Sequence, residues 1–274
     1  MLFWMNLLLS LIGAGAIALS AGRWWLMPLA AVGLWLALLL LSAAFLLLVC
    51  AFVDQRRPQE KESPFFRCLA KQYIDFFVRV ARLRIHTQGM EKMPRGPVFL
   101  VCNHLNDIDP GVLMHLFPEH KLSFLSKREN REKTVIGPVM HKLRCPLVHR
   151  ENDREALKAI LQAVRILQEG NNSVGAFPEG YTSLDGKLHS FRSGVFKIAQ
   201  KARVPIVVCT LRRTQTVLPA LCKGKSSEVT FHLVGVLEPA QIQGRTAVEV
   251  AKQVYGMMIE DLGEDFLPET AQNT

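Results

Sequence analysis

The sequence predicts an α/β domain with a central, mostly parallel sheet flanked by helices, preceded by an apolar helical hairpin. Three observations lead to this fold class. The amino terminus is apolar over two long stretches, the rest of the chain alternates strand-like and helix-like runs, and 274 residues suffice for one such domain with an appendage. We expect the hairpin at residues 1–53, a basic amphipathic helix at 54–86 and the α/β domain at 87–274.

The hairpin follows from the distribution of charge. From Met1 to Val53 the only ionisable side chain is Arg23, which leaves uncharged stretches of 22 and 30 residues. A helix needs roughly 20 apolar residues to span a bilayer, and Pro28 suits the first turn of the second helix. A cleaved signal peptide is the alternative, but no Lys or Arg precedes the apolar core. We expect a membrane anchor, and the sequence leaves open whether it spans or re-enters.

The segment after the hairpin is basic and amphipathic. It carries eight Lys or Arg residues against four acidic residues, so the positive-inside rule predicts a cell-membrane protein with its main domain on the cytoplasmic face. Apolar residues recur at helical spacing: Phe66, Leu69, Tyr73, Phe76, Phe77, Val80 and Leu83. The other side carries Arg67, Lys71, Arg79 and Arg82. Such a helix lies on anionic lipid or packs on the protein core, and its periodicity is compatible with both.

Strands and helices alternate in the remaining chain. The strand candidates are "VFLVC", "LSFLS", "SVGAF", "PIVVCTL" and "VTFHLVGVL". Between the second and third, "NDREALKAILQAVRILQEG" predicts an amphipathic helix, with Asn152 and Glu155 as a capping box and Gly170 as its stop. A last helix is expected at about 246–262.

The composition of the chain limits which binding partners are expected. The formal net charge of +9 favours a polyanion, either nucleic acid or an anionic membrane surface. Basic residues beside two apolar stretches favour the membrane surface, and no nucleic-acid motif is found. The six cysteines have no CxxC spacing and read as buried reduced thiols, so we expect no metal site.

The stretch "CNHLNDIDP" follows the strand candidate "VFLVC" and contains one histidine and two aspartates. α/β folds place their sites at the carboxyl ends of such strands. If Asp109 opens a helix with Pro110, its carboxylate can point back at His104 and hold the imidazole as a general base. Asp107 could instead cap that helix. The alternative is a turn whose Asn and Asp side chains serve their own backbone, because the HxxxxD spacing is common by chance.

Four short blocks follow one another between roughly residues 85 and 215. The first is "NHLNDID" and the second is "SKRENREKTVIGPVMHKLRCPLVHREN". The third is "FPEG" and the fourth is "VPIV". In this order they resemble the bacterial 1-acylglycerol-3-phosphate (lysophosphatidic acid) acyltransferases of the glycerolipid acyltransferase family, with Lys127, Gly137 and Arg150 at the matching positions of the second block. The ordered set is far more specific than any one block, and the apolar amino terminus agrees with the family.

The resemblance implies a glycerolipid acyltransferase-like fold and acyl transfer from acyl-CoA or acyl carrier protein to lysophosphatidic acid, giving phosphatidic acid. His104 is expected as the general base, with Asp109 orienting it. We expect direct attack without an acyl-enzyme, since no Ser or Cys is clearly placed as a nucleophile. Backbone N–H groups around Gly180, or the side chain of Lys127, are candidates to stabilise the oxyanion. No metal or organic cofactor is expected.

The "FPEG" block alone is typical of a strand end followed by a turn. Together with the other blocks it makes four residues candidates for contacts with substrate: Phe177, Pro178, Glu179 and Gly180. Basic residues are needed for the acceptor phosphate, and the candidates are Lys127, Arg128 and Arg150.

The sequence departs from the family directly after this block. It reads "FPEGYTS", so Tyr181 and Thr182 stand where Thr and Arg are expected. Without that arginine, Arg150 or Arg192 is expected to bind the phosphate of the acceptor. Thr182 is a further candidate for contact with substrate. One alternative is therefore an acyltransferase with another lysophospholipid or a glycolipid as acceptor. A third hypothesis is a membrane-tethered lipid-binding protein without activity.

Overall fold

The computed structural model describes residues 2–149 and 153–268. The described helices are α1 Leu2–Ser20, α2 Met27–Ala51, α3 Pro64–Val80, α4 Asp109–Leu116, α5 Ile136–Lys142, α6 Asp153–Gln168, α7 Lys197–Ala202, α8 Val217–Cys222, α9 Pro239–Ile242 and α10 Ala247–Leu262. The described strands are β1 Leu83–Gln88, β2 Phe99–Cys102, β3 Ser123–Phe124, β4 Ser126–Lys127, β5 Leu147–Val148, β6 Val174–Ala176, β7 Ile206–Arg212 and β8 Ser227–Leu237. Two compact units result, one of Met1–Arg79 with Glu129–Arg144 and one of Val80–Arg128 with Cys145–Thr274.

The first unit contains the predicted apolar helices. The segments Leu2–Ser20 and Trp24–Ala51 are long and apolar enough to cross a membrane. Only 22% of the most apolar part of the first segment and 6% of that of the second are buried. Their apolar side chains therefore mostly face outwards, unlike those of a buried core helix. α1 and α2 pack closely, since a Cβ at Gly13 would lie 2.8 Å from Leu34 Cδ1. The two apolar amino-terminal helices predicted from the sequence are confirmed.

Helix α3 packs on these two helices. The Tyr73 hydroxyl donates to the Ser42 carbonyl at 2.6 Å, and the Leu2 N–H donates to Gln72 Oε1 at 3.0 Å. The Phe76 ring lies 6.0 Å from that of Phe3. The periodicity of α3 allows its apolar face to lie on lipid or to pack on protein. These contacts show that much of this face packs on α1 and α2.

Helix α3 is shorter than its periodicity predicts. It ends at Val80, and Leu83, which the spacing assigns to the helix, begins β1. The physical reason is Arg82, whose φ of 45° lies in the left-handed region that no continuing α-helix visits. The prediction of helix through residue 86 is wrong from that point.

The second unit is built on a six-stranded sheet of order β1-β8-β7-β2-β6-β3. The strands β7, β2, β6 and β3 are parallel, while β8 runs antiparallel to β7 and β1 runs parallel to β8. The mostly parallel sheet is thus confirmed. β4 and β5 form a separate parallel pair.

Helices cover the sheet with apolar side chains. Buried residues of β2 and β7, including Phe99 and Val208, pack with Leu167 of α6 and Val254 of α10 in one core cluster. α6 confirms the predicted helix, and Gly170 follows it with a φ of 81°. Its predicted capping residue, Asn152, lies outside the described residues. α10 confirms the last helix and begins with a capping box between Thr246 and Glu249.

Candidate active site

The site begins where β2 ends. Asn103 is buried, its amide donates to the Leu211 carbonyl at 2.9 Å, and its Oδ1 accepts from the Leu211 N–H at 2.8 Å. This two-point bond to β7 fixes the place at which the chain leaves the sheet. Asn103 is not among the site residues predicted from the sequence, although an asparagine directly before the histidine at a strand end is a usable signal.

The structure places His104 and Asp109 in contact. Asp109 is fully buried in the first turn of α4, and its Oδ2 lies 2.9 Å from His104 Nδ1. The same oxygen accepts from the N–H groups of Leu105 at 2.7 Å and Asn106 at 2.8 Å. A carboxylate only accepts hydrogen bonds, so Nδ1 carries the proton and Nε2 presents its lone pair. That is the tautomer that a general base needs.

An aromatic stack holds the imidazole. The Phe177 ring lies 4.1 Å from the His104 ring at an interplanar angle of 17°, and Phe124 stacks behind Phe177 at 5.5 Å. Gly175 makes the room, since a Cβ there would lie 2.3 Å from the Phe124 ring. Phe177 therefore supports the histidine, a role that the sequence does not reveal.

Glu179 is the polar centre of the neighbouring loop. It is 1% exposed, and its Oε1 accepts from the His104 N–H at 2.9 Å. Its Oε2 accepts from the Ser183 hydroxyl at 2.6 Å and the His189 N–H at 3.0 Å. Burial raises the pKa of this carboxyl. Both oxygens serve internal donors, which favours a positioning role over direct contact with the acceptor. Pro178, in the same turn, is also buried.

Thr182 faces the second nitrogen of the histidine. Its Oγ1 lies 3.1 Å from His104 Nε2 and 3.5 Å from Asp107 Oδ1. The loop is fixed on both sides of this contact, because the Ser183 N–H donates to the His104 carbonyl at 2.7 Å. Nothing in the sequence signals this contact, which joins residues 78 positions apart.

Gly180 has a backbone reason to be glycine. Its φ is 82°, and an added Cβ would lie 2.9 Å from Arg192 Nε. Its N–H donates to the Phe177 carbonyl at 3.0 Å. This N–H, one of the candidate donors to the oxyanion, is therefore already hydrogen-bonded within the turn. The exposed Arg192 guanidinium therefore lies against the FPEG turn.

The other basic candidates are placed differently. Lys127 lies in β4, paired with Val148, and Arg128 is exposed at the start of the next turn. Neither belongs to the cluster that the contacts above define, and Arg150 lies outside the described residues. Among the residues that the structure describes, no group of three or more His, Cys, Asp or Glu side chains is arranged to hold a metal ion.

The fold and the site define a class: an α/β domain with a carboxylate-oriented histidine at the carboxyl edge of its parallel strands. Residues 84–212 match the family model described as Acyltransferase.

Several curated proteins are similar to about half of the chain. The chain is 36% identical over 143 residues to a 1-acyl-sn-glycerol-3-phosphate acyltransferase of Chlamydomonas reinhardtii, covering 52% of this chain and 41% of the relative. It is 32% identical over 143 residues to the chloroplastic LPAT1 of Arabidopsis thaliana, at 52% and 39% coverage. A 1-acyl-sn-glycerol-3-phosphate acyltransferase of Borreliella burgdorferi is 28% identical over 136 residues, covering 49% of this chain and 54% of the relative. The chain thus spans about half the length of these relatives, or less.

A solved structure supports the fold. The crystal structure of the 1-acyl-sn-glycerophosphate (LPA) acyltransferase PlsC from Thermotoga maritima superposes with a TM-score of 0.59. The match covers 80% of this chain and 88% of the other at 21% identity. The predicted fold class, including its likeness to glycerolipid acyltransferases, is confirmed.

Proposed function

We propose that the protein transfers a fatty acyl group from an acyl thioester to the free hydroxyl of lysophosphatidic acid, giving phosphatidic acid. The observation that carries this proposal is the pairing of His104 with Asp109 through Nδ1. It leaves Nε2 as the second nitrogen, 3.1 Å from the Thr182 hydroxyl. The family domain and the names of its relatives support the same reaction.

His104 is the general base of the proposed reaction. Its Nε2 takes the proton of the attacking hydroxyl as the new C–O bond forms, and Asp109 stabilises the resulting imidazolium. The C–S bond then breaks, and the thiolate of coenzyme A or acyl carrier protein takes that proton. This chemistry needs no metal or organic cofactor. Positioned proton transfer of this kind is worth about 10²- to 10⁴-fold in rate.

The acceptor phosphate needs a cation near the FPEG turn. Arg192 is the described candidate, because its exposed side chain lies against Gly180, directly before Tyr181 and Thr182. A guanidinium there can form two hydrogen bonds to a phosphate. Lys127, Arg128 and Arg150, which the sequence offers as ligands of the acceptor phosphate, remain further candidates for that role.

The apolar helices anchor the chain in the proposed arrangement. The basic excess after the hairpin predicts that the acyltransferase domain lies on the cytoplasmic face of the cell membrane, against anionic lipid. The lipid acceptor is then supplied from the bilayer, and nucleic acid is no partner.

A second candidate acceptor has one observation in its favour. Thr182 stands where the family has arginine and turns its hydroxyl to His104, so it supplies no positive charge to a phosphate. Another lysophospholipid or a glycolipid would suit a site that depends less on a phosphate monoester.

A transfer assay on the full chain in detergent tests these proposals. Labelled oleoyl-CoA and oleoyl-acyl carrier protein are offered with lysophosphatidate, other lysophospholipids and a glycolipid, and with His104→Ala as control. We expect lysophosphatidate to be the best acceptor and the variant to be inactive. Preference for another acceptor would assign the second candidate. Lack of transfer from either thioester would leave a lipid-binding protein without activity.

A further inference from the structure

The loop that follows the FPEG turn carries two exposed apolar side chains beside the candidate active site. Leu184 is 97% exposed and Tyr181 is 38% exposed. Among the described residues, Leu184 is the most exposed of the large apolar side chains, those of the hairpin included. A side chain this exposed buries almost no area in the fold, so packing does not account for it. Positions in tight turns are usually taken by Gly, Pro, Asn, Asp or Ser.

Hydrogen bonds hold Leu184 in a fixed place. The Ser183 carbonyl accepts from the Gly186 N–H at 3.3 Å, which closes a β-turn with Leu184 at its second position. The Ser183 N–H donates to the His104 carbonyl at 2.7 Å, and the Ser183 hydroxyl donates to Glu179 Oε2 at 2.6 Å. The turn is therefore tied to the chain that carries the histidine, and the leucine side chain projects from it into solvent.

This exposed leucine lies close to the reacting groups of the proposed function. It is two residues from Thr182, whose Oγ1 is 3.1 Å from His104 Nε2. Two residues span at most about 7 Å of chain. The Arg192 side chain lies against the same loop, since a Cβ at Gly180 would be 2.9 Å from its Nε. An apolar tip, a tyrosine and an arginine thus occur together beside the histidine.

We infer that Leu184 and Tyr181 form a lip that enters the lipid bilayer beside His104, so that the opening of the site meets the membrane surface directly. The inference rests on the proposed function for its acceptor, a lipid whose acyl chain lies in the hydrocarbon while its phosphate and free hydroxyl lie in the interface. The lip would hold the site at the depth of that hydroxyl.

The composition and size of the lip favour lipid over a protein partner. Leucine gains free energy when it leaves water for hydrocarbon, tyrosine is enriched at the level of the headgroups, and arginine is attracted to anionic lipid. A stable protein–protein interface buries roughly 800 Å² on each partner, which is far more than two side chains offer. A small apolar tip is sufficient for lipid, because the hairpin already provides the main anchor in the proposed arrangement.

Photo-cross-linking tests the contact itself and does not depend on activity. The full chain is prepared with p-benzoyl-phenylalanine in place of Leu184, reconstituted into vesicles of phosphatidylglycerol and phosphatidylethanolamine, and irradiated. We expect mass spectrometry to show a phospholipid adduct at position 184. The same label in place of Leu40, which is 73% exposed in α2, provides the positive control.

Val248 provides the matched negative control. It is 52% exposed in the first turn of α10. The Leu262 carbonyl, at the other end of this helix, accepts from the Arg212 guanidinium at 3.3 Å, and Arg212 ends β7 at the edge of the sheet that carries His104. A helix of 16 residues is about 24 Å long, so Val248 lies towards the opposite edge. The label there should give no lipid adduct.

Kinetics test whether the contact serves the capture of the acceptor. The full chain in vesicles is offered oleoyl-lysophosphatidate in the bilayer, or hexanoyl-lysophosphatidate from solution, with oleoyl-CoA as donor. Leu184→Gln should raise the KM for the bilayer acceptor by about five- to twentyfold at unchanged kcat, because the apolar anchor beside the site is lost. The KM for the soluble acceptor should stay within about twofold. Val248→Gln should change neither value.

The remaining outcomes separate the lip from other roles of the loop. Lack of a lipid adduct at position 184, when the label at position 40 gives one, overturns the inference. An adduct to protein at position 184 overturns it in favour of a second copy of the chain or another protein. A raised KM for oleoyl-CoA with both acceptors overturns it in favour of donor binding. A lipid adduct at position 184 without transfer to any acceptor supports the membrane contact and contradicts the proposed function.

Discussion

His104 and His232 each bond through Nδ1 to an aspartate, at 2.9 Å to Asp109 and at 2.5 Å to Asp261. The surroundings of the two carboxylates differ. Among the described residues, Asp109 accepts further hydrogen bonds only from backbone groups of the turn that carries His104, and the other imidazole nitrogen faces the Thr182 hydroxyl.

Asp261, by contrast, joins distant parts of the chain. It accepts from the Thr210 hydroxyl at 2.5 Å and lies 3.7 Å from the Arg212 guanidinium, so that it connects α10 with β7 and β8. The first pair, confined to one turn and its helix, is the proposed general base, and the second is a cross-link between elements. Under the proposed function, the same two residue types serve chemistry in one place and stability in the other, according to what else the carboxylate and the imidazole contact.

The largest expected effect is that of His104→Ala. Removal of the base should lower the rate of acyl transfer by about 10³- to 10⁴-fold. The matched variant His232→Ala should keep the rate within about threefold and instead lower the thermal midpoint, since losing this hydrogen bond costs about 1–2 kcal/mol. Steady-state transfer rates and thermal unfolding in detergent measure both. A similar loss of rate in the two variants would contradict the comparison.

Asp109→Asn should be the next largest. Asparagine keeps the shape of the side chain but removes the charge that stabilises the imidazolium, so kcat should fall by about 10²- to 10³-fold with little change in KM. Asp261→Asn should keep kcat and lower the thermal midpoint by a few degrees, about 2–4 °C for each kcal/mol lost. A kcat for Asp109→Asn near that of wild type would remove Asp109 from the proposed mechanism.

The sequence predicts those parts of the fold and site that depend on local patterns. The strands "VFLVC" and "PIVVCTL" and helix α6 follow from apolar periodicity, and the contact of His104 with Asp109 follows from a helix that opens at the aspartate. The sequence does not predict strand β1, because its first residue, Leu83, continues the apolar spacing of α3. Only the structure shows the left-handed backbone at Arg82 between the helix and the strand.

The rest of the site depends on contacts between distant residues. Glu179 bonds to the backbone of a residue 75 positions away, and Thr182 bonds to the same residue over 78 positions. The sequence marks both residues as candidates but assigns them to substrate, because only the fold shows that Glu179 is buried and that Thr182 faces an imidazole nitrogen. The structure therefore leaves Glu179 and Thr182 among the candidate site residues but suggests roles for them that differ from those expected from the sequence.

Glu179→Gln should have an intermediate effect. The amide replaces one acceptor oxygen by a donor, which conflicts with the N–H and O–H groups that Glu179 accepts from, so we expect a loss of about 10- to 100-fold in kcat through misplacement of His104. Glu179→Asp offers a control that keeps the charge and shortens the reach.

The pH dependence of stability gives Glu179 a second test. Burial raises the pKa of its carboxyl above the ordinary 4.5, so the folded protein binds this proton more tightly than the unfolded chain does. The contribution of Glu179 to stability therefore falls as pH rises from the ordinary value through the raised one. Glu179→Gln lacks this titration, so its deficit in thermal midpoint relative to wild type should shrink as pH rises across that window. A deficit that grows instead would contradict the raised pKa.

Phe177→Leu should have the smallest effect and sharpens the comparison at the imidazole itself. Leucine fills much of the space but loses the stack on His104, which is worth about 0.5–1.5 kcal/mol and corresponds to about a two- to tenfold loss in kcat. Phe191, whose ring stacks on Phe196 at 6.3 Å, provides the matched control. Phe191→Leu should lower the thermal midpoint to a similar degree without lowering kcat, while Phe177→Tyr should restore it. If both leucine variants slow transfer equally, the effect reflects general loosening of the domain, and the stack on His104 has no specific part in holding the base.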